Sequence, residues 1–213
     1  MGSFLLCVAS SDNIFSRSKC DYCGHILSAT DLIPLFSYLF LKGRCRYCNK
    51  RLSITYPLSE LFTALVYFLF VYKYGLTVKT LMYLILVSIM IFVSIKDIKE
   101  MIIPDLAVIL GIINYLMYST DRASGIINSF TIGTMILFLK ILMEKIYKKE
   151  MMGFGDIKLI YMLGLYTSVY NSLLALLLAS ICGLVLIVYT KKDIFPFGEC
   201  ICLAYIAVFL FFM

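Results

Sequence analysis

The chain has 213 residues, 62% of them hydrophobic and 15% charged, with a mean hydropathy of +0.95. A water-soluble domain carries roughly 45–50% apolar residues, so the composition excludes an ordinary soluble globule and implies a polytopic membrane protein. The net charge of +6 would suit nucleic acid, but its distribution assigns it to topology, and the single histidine, His25, leaves Ser-His-Asp and Cys-His catalysis almost nothing to draw on.

The first apolar run, Phe4 to Ala9, is too short to span a bilayer. Residues 10–55 are the most polar part, with seven of the nineteen Lys/Arg and four of the eight cysteines. Within them, Cys20-Asp-Tyr-Cys23 and Cys45-Arg-Tyr-Cys48 form two CxxC pairs separated by 21 residues. Four thiolates in that pattern suit tetrahedral zinc in a closed structural site. Gly24 and Asn49 follow the pairs, as turns after zinc knuckles require. A reducing compartment favours metal over disulfides. A redox dithiol pair and plain packing cysteines are the alternatives. His25 reads as a surface residue, and Leu32–Leu41 as an interfacial or packed segment. Cys7, Cys182, Cys200 and Cys202 read as small buried hydrophobes.

Seven apolar segments follow, at about 56–74, 77–96, 103–119, 125–143, 157–169, 171–190 and 196–213. The longer ones approach the roughly 20 residues that cross a bilayer, and the fifth is short enough to be tilted or re-entrant. Lys and Arg alternate strongly between successive connections, with sixteen on one side and three on the other. Basic residues stay in the cytoplasm. The cysteine region, Lys191-Lys192, Asp97 and Asp156 therefore fall on the cytoplasmic side. The reading is an all-α polytopic membrane protein of about seven transmembrane helices, with a zinc module over 1–55 and a membrane domain over 56–213.

Asp97 lies in Ser94-Ile-Lys-Asp97-Ile-Lys-Glu-Met-Ile-Ile-Pro104-Asp105, and Asp156 in Gly153-Phe-Gly155-Asp156-Ile-Lys158. Ionisable residues at membrane boundaries are costly and mark function by default. Each has a plainer reading. Asp97 would pair with Lys96 or Lys99, and Asp156 would cap a helix whose chain the glycines turn. Their common depth favours a shared site. Two close carboxylates hold one proton between them, which suits peptide hydrolysis by an acid and a base. Gly153 and Gly155 would let a substrate strand approach, while Pro104 and Asp105 would open the next helix.

In order and spacing, these motifs resemble the type IV prepilin leader peptidases, bifunctional peptidase/N-methyltransferases of the GxGD aspartyl type. Met1-Gly-Ser-Phe-Leu5 resembles the family's GSFLN segment, so residues 1–9 correspond to the remnant of a first membrane helix. Leu6-Cys-Val-Ala-Ser-Ser departs from the family pattern, in a region associated with the methyltransferase half. Both cysteine boxes, Ile54-Thr-Tyr-Pro-Leu-Ser-Glu60, the Asp97…Ile103-Pro-Asp105 stretch, the Gly153–Asp156 box and Phe195-Pro-Phe-Gly198 match in turn. The resemblance implies cleavage of prepilins or pseudopilins at the cytoplasmic face of a bacterial inner membrane, between a basic leader and an apolar helix. It implies Asp97 and Asp156 as the catalytic pair, and N-methylation from S-adenosylmethionine as a second activity. The competing readings are a non-enzymatic membrane module with a zinc docking domain, an ion transporter, and a GxGD protease acting on other substrates.

Overall fold

The computed structural model describes residues 23–25, 41, 43–51, 54–149, 152–190 and 195–212. Cys20, most of Leu32–Leu41, residues 1–22 and Lys191-Lys192 lie outside the described residues. Seven helices follow in order: α1 Thr55–Tyr74, α2 Val78–Glu100, α3 Asp105–Tyr118, α4 Arg122–Tyr147, α5 Phe154–Gly164, α6 Val169–Thr190 and α7 Phe197–Phe211. No strand occurs among the described residues. Among the described residues, three helices are long and apolar enough to cross a membrane: α2, α4 and α6. The others are shorter or more polar, with α5 only 11 residues long.

Local sequence sets the helix ends. Gly75 adopts φ +67°, a left-handed conformation that costs a glycine little, and its N–H caps the Val71 carbonyl at 2.9 Å. Thr77 then opens α2 by accepting the Thr80 N–H, and Asp121 opens α4 by accepting the Ser124 N–H. Pro104 caps α3, leaving Asp105 in its first turn. The α5–α6 connection is a tight turn through Leu165–Ser168 in which Tyr166 and Thr167 are buried. That apolar turn is why the fifth hydrophobic segment outlasts its helix.

By compactness the chain divides into two units, 1–69 and 70–213. The first contains the cysteine loop and most of α1. In the second, α2 packs on α3 and α7, α4 on α5 and α6, and α6 on α7. The short α5 is central, touching α3, α4, α6 and α7. Small residues permit this close approach, as they do between membrane helices generally. The Tyr161 ring occupies the place of a Cβ on Gly133, Met162 that on Gly111, and Ile132 with Ser129 that on Gly164. The end of α1 is held in the same unit by Tyr74, whose hydroxyl donates to the Phe209 carbonyl at 2.7 Å.

A buried polar knot joins α2, α3 and the α5–α6 turn. Asn114 Nδ2 donates to the Met82 carbonyl at 3.0 Å and to Tyr166 Oη at 2.9 Å, and Tyr166 donates on to the Gly111 carbonyl at 2.6 Å. Removing one member of a buried network leaves the others short of partners. Asn114→Ala should therefore lower stability by about 1 kcal/mol, read as a lower unfolding temperature in detergent. An unchanged temperature would mean the knot contributes nothing.

Candidate active site

Asp97 occupies the last turn of α2, only 5% exposed. The chain turns sharply after it, because Met101 adopts φ 54° and returns its N–H to the Asp97 carbonyl at 2.9 Å. The Asp97 side chain faces the start of α7. The Glu199 N–H donates to Asp97 Oδ2 at 3.1 Å. The first N–H groups of a helix have no partner within it and carry a partial positive charge, so they suit a carboxylate. A Cβ on Gly198 would lie 2.8 Å from Asp97 Oδ2, so only glycine leaves room for the carboxylate there. Lys96 does not serve Asp97; it pairs with Glu100.

Asp156 lies in the first turn of α5, outside the three candidate spans. Gly153 is the cap residue and makes no side-chain bond, while its N–H donates back to the Asp156 carboxylate. Asp156 thus supplies the third-position half of a capping pair. Burial pushes its pKa up to about 6, the Asp97 charge adds to the rise, and the Gly153 N–H and Lys140 oppose it. The folded protein therefore holds this proton above the usual carboxylate range. The associated stability is complete below pH ~4. It is lost as pH rises through about 6.

Ile103 connects the two aspartate-bearing elements. A Cβ on Gly155 would lie 3.2 Å from Ile103 Cβ, and one on Gly198 would lie 3.1 Å from Ile103 Cδ1. The side chain thus sits where the starts of α5 and α7 and the α2–α3 connection converge. Gly155 makes room for Ile103. The GxG pair does not turn the chain, since Gly153 has φ −65°, open to any residue, and Gly155 is not among the positive-φ positions. Asp105 opens α3, and its Oδ1 meets Lys158 Nζ of α5 at 2.7 Å. That pair is exposed, so it orients the two helices more than it stabilises them.

Sequence reasoning assigned no role to Gly198, Ile103 or Lys140. Lys140 counted only as a topology charge, yet it is 5% exposed. The available signal was its isolation in the apolar run Met135–Met143 of α4. Among the other cysteines, Cys200 and Cys202 are buried as expected, whereas Cys182 is only partly buried.

In the N-terminal unit, the thiols of Cys23, Cys45 and Cys48 lie within 4.8 Å of one another. Tetrahedral zinc places thiolates about 3.8 Å apart, so the three fit one metal with modest adjustment. The loop is shaped for this. Gly24 has φ +69° and Asn49 φ 56°, the turn residues after each pair. The Asn49 N–H donates to the Cys45 carbonyl, and the Cys45 N–H to the Lys50 carbonyl, both at 2.9 Å. His25 stacks on Tyr47 with ring centroids 3.7 Å apart.

The two glycines make opposite expectations. Gly198→Ala must displace Asp97 and should cost roughly 1–3 kcal/mol. Gly153→Ala places its Cβ 3.4 Å from Asp156 Oδ2, an ordinary contact, and should cost far less. Thermal unfolding of the two variants side by side checks the order; equal stability would show that Asp97 is not seated on α7.

The bacterial peptidase A24 N-terminal domain matches residues 1–74, and the type IV leader peptidase family matches residues 84–188. A prepilin leader peptidase/N-methyltransferase of Pseudomonas putida is 32% identical over 209 residues, covering 91% of this chain and 71% of the relative. A type 4 prepilin-like proteins leader peptide-processing enzyme of Escherichia coli O78:H11 is 32% identical over 199 residues, covering 90% and 74%. A prepilin leader peptidase/N-methyltransferase of Myxococcus xanthus is 33% identical over 174 residues, covering 79% of this chain but 52% of the relative. No solved structure is significantly similar to the chain. Two family matches in sequence, and relatives covered over more than two thirds of their length, show that the chain belongs to the type IV leader peptidase family.

Proposed function

We propose that this protein is a membrane-embedded aspartyl endopeptidase that removes the basic leader from type IV prepilins or pseudopilins. The observation that carries the proposal is the shared environment of Asp97 and Asp156. They stand on separate helices, and the charge of one raises the pKa of the other. The relatives' names and the Lys/Arg distribution support the substrate class and a cytoplasmic-face site in a bacterial inner membrane. In this reading residues 1–55 form a cytoplasmic module, and α3, α5 and α7 complete the bundle around the three longer spans.

The cleavage follows from one proton on the pair. The Glu199 N–H donates to the Asp97 carboxylate, which suits Asp97 to act as the base, and burial favours the protonated form of Asp156, which suits it to act as the acid. Asp97 takes a proton from a water molecule, whose oxygen attacks the scissile carbonyl carbon. Asp156 gives its proton to the carbonyl oxygen. Collapse of the tetrahedral intermediate breaks the C–N bond. Asp97 passes the proton it took to the leaving amine, a hydroxyl of the intermediate returns one to Asp156, and the leader departs with a new carboxyl group. Gly153, Gly155, Pro104 and Asp105 support the loops that carry the pair.

Cys23, Cys45 and Cys48, with Cys20 as the fourth ligand, would hold zinc. Four thiolates leave no open position, so the metal stabilises the loop and takes no part in cleavage. N-methyltransferase is the second activity in the relatives' names, and in this chain it would methylate the new N-terminus from S-adenosylmethionine. Among the described residues nothing marks a site for that cofactor, and cleavage does not need it.

Two experiments test these assignments. In membranes mixed with a prepilin carrying a short basic leader, Asp97→Asn and Asp156→Asn should each lower cleavage by roughly 100-fold or more, with protein levels unchanged. Cleavage by either variant at the wild-type rate would refute the pair. Separately, protein purified without chelator should contain one zinc per chain, and Cys45→Ser should lose the metal and much of the protein level. Metal-free wild-type protein would remove zinc from the account.

A further inference from the structure

Lys140 is the charged group that the cleavage chemistry leaves unused. It lies within α4, flanked by Met135–Leu139 and Ile141–Met143, and its side chain is only 2% exposed. A buried cation in a membrane protein is expensive and marks function by default. Two partners offset the cost. Glu144 Oε1 lies 3.6 Å from its ammonium, one turn along α4. The Phe154 ring centroid lies 3.3 Å away. The Glu144 distance exceeds the ~2.7–2.9 Å of a charge-assisted hydrogen bond, so the carboxylate only partly neutralises the charge. The aromatic face takes the rest through a cation–π contact. Phe154 is the residue between Gly153 and Gly155, at the start of α5. A helix N-terminus carries partial positive charge and repels a cation, so the helix dipole does not account for Lys140 being there.

We propose that Lys140 is a positioning residue of the aspartate site: its ammonium clamps Phe154, and with it the first turn of α5, and presents a fixed positive charge to Asp156. The assignment rests on the proposed peptidase. The charge of Lys140 bears directly on Asp156, against that of Asp97 from α2. From the other packed helices, Cys202 of α7 also lies in the field of Asp156. Glu199 of α7 lies against Asp97, Asp105 of α3 is paired with Lys158, and Cys182 of α6 faces Cys200. Among the described residues, Lys140 thus joins the Gly153 N–H in opposing proton retention by Asp156.

The test is cleavage of a prepilin by the full chain in membranes, with kcat and KM followed across pH. Lys140→Gln should lower kcat roughly tenfold, leave KM within about twofold, and move the alkaline limb of kcat up by about one pH unit. Lys140→Arg should restore both. Glu144→Gln removes the competing carboxylate and should move the limb to lower pH. An unmoved limb in Lys140→Gln, or no rescue by arginine, overturns the proposal. If Lys140→Gln does not accumulate, Glu144→Gln decides alone, and an unmoved limb there overturns it. Wild-type cleavage with Asp156→Asn inactive isolates such a failure to Lys140. Wild type that does not cleave at all sinks the peptidase and this role together.

Discussion

The seating of the Asp97 carboxylate on the start of α7 constrains the rest of the membrane unit. Backbone N–H groups at a helix start demand an acceptor, and a carboxylate near the bilayer edge demands donors. The Glu199 N–H meets Asp97 at 3.1 Å, and the missing Cβ of Gly198 makes the approach possible. That contact fixes where α7 begins relative to the end of α2. Ile103 then fits against both Gly198 and Gly155, so the start of α5 cannot shift independently. Once these three elements are registered, Asp156 enters the field of Asp97.

The surrounding bundle keeps that register with close packing. Water cannot drive helices together inside a bilayer, so small residues and interhelical hydrogen bonds carry more of the association. Glycines at 111, 133 and 164 let α3, α4 and α5 approach until side chains fill the Cβ positions. Ser129 Oγ donates to the Tyr161 carbonyl at 2.5 Å and secures the same interface. A short central helix is useful here. Its first turn carries Asp156, and its other end finishes in the buried turn around Tyr166, so both ends are pinned.

Much of this was legible in the sequence, and the remainder has a physical reason for being hidden. Apolar segments located the seven helices of the described residues, because a run of apolar residues is a local property. Counting Lys and Arg led to the expectation that Asp97 and Asp156 share a side, and in the structure the charge of Asp97 reaches Asp156. The turns after Cys23 and Cys48 were readable because Gly24 and Asn49 tolerate positive φ. Contacts between distant positions were not readable. The Glu199–Asp97 bond joins residues 102 apart in sequence. Gly155 was read as admitting a substrate strand or, more plainly, as turning the chain, but the demand visible at it is steric and comes from Ile103. Lys140 was counted with the connection charges that follow it, although it lies inside the apolar segment that ends at residue 143. The helix in fact runs to Tyr147 and carries Lys140 inside the bundle.

The central claim is that Asp97 and Asp156 form one electrostatic unit. Infrared difference spectroscopy of the protonated carboxyl band, across pH in membranes, addresses it directly. The account predicts a band that persists to about pH 6, vanishes in Asp156→Asn, and titrates at lower pH in Asp97→Asn. A band that titrates at the same pH with and without the Asp97 charge would show that the two carboxyls act separately, and would contradict the account.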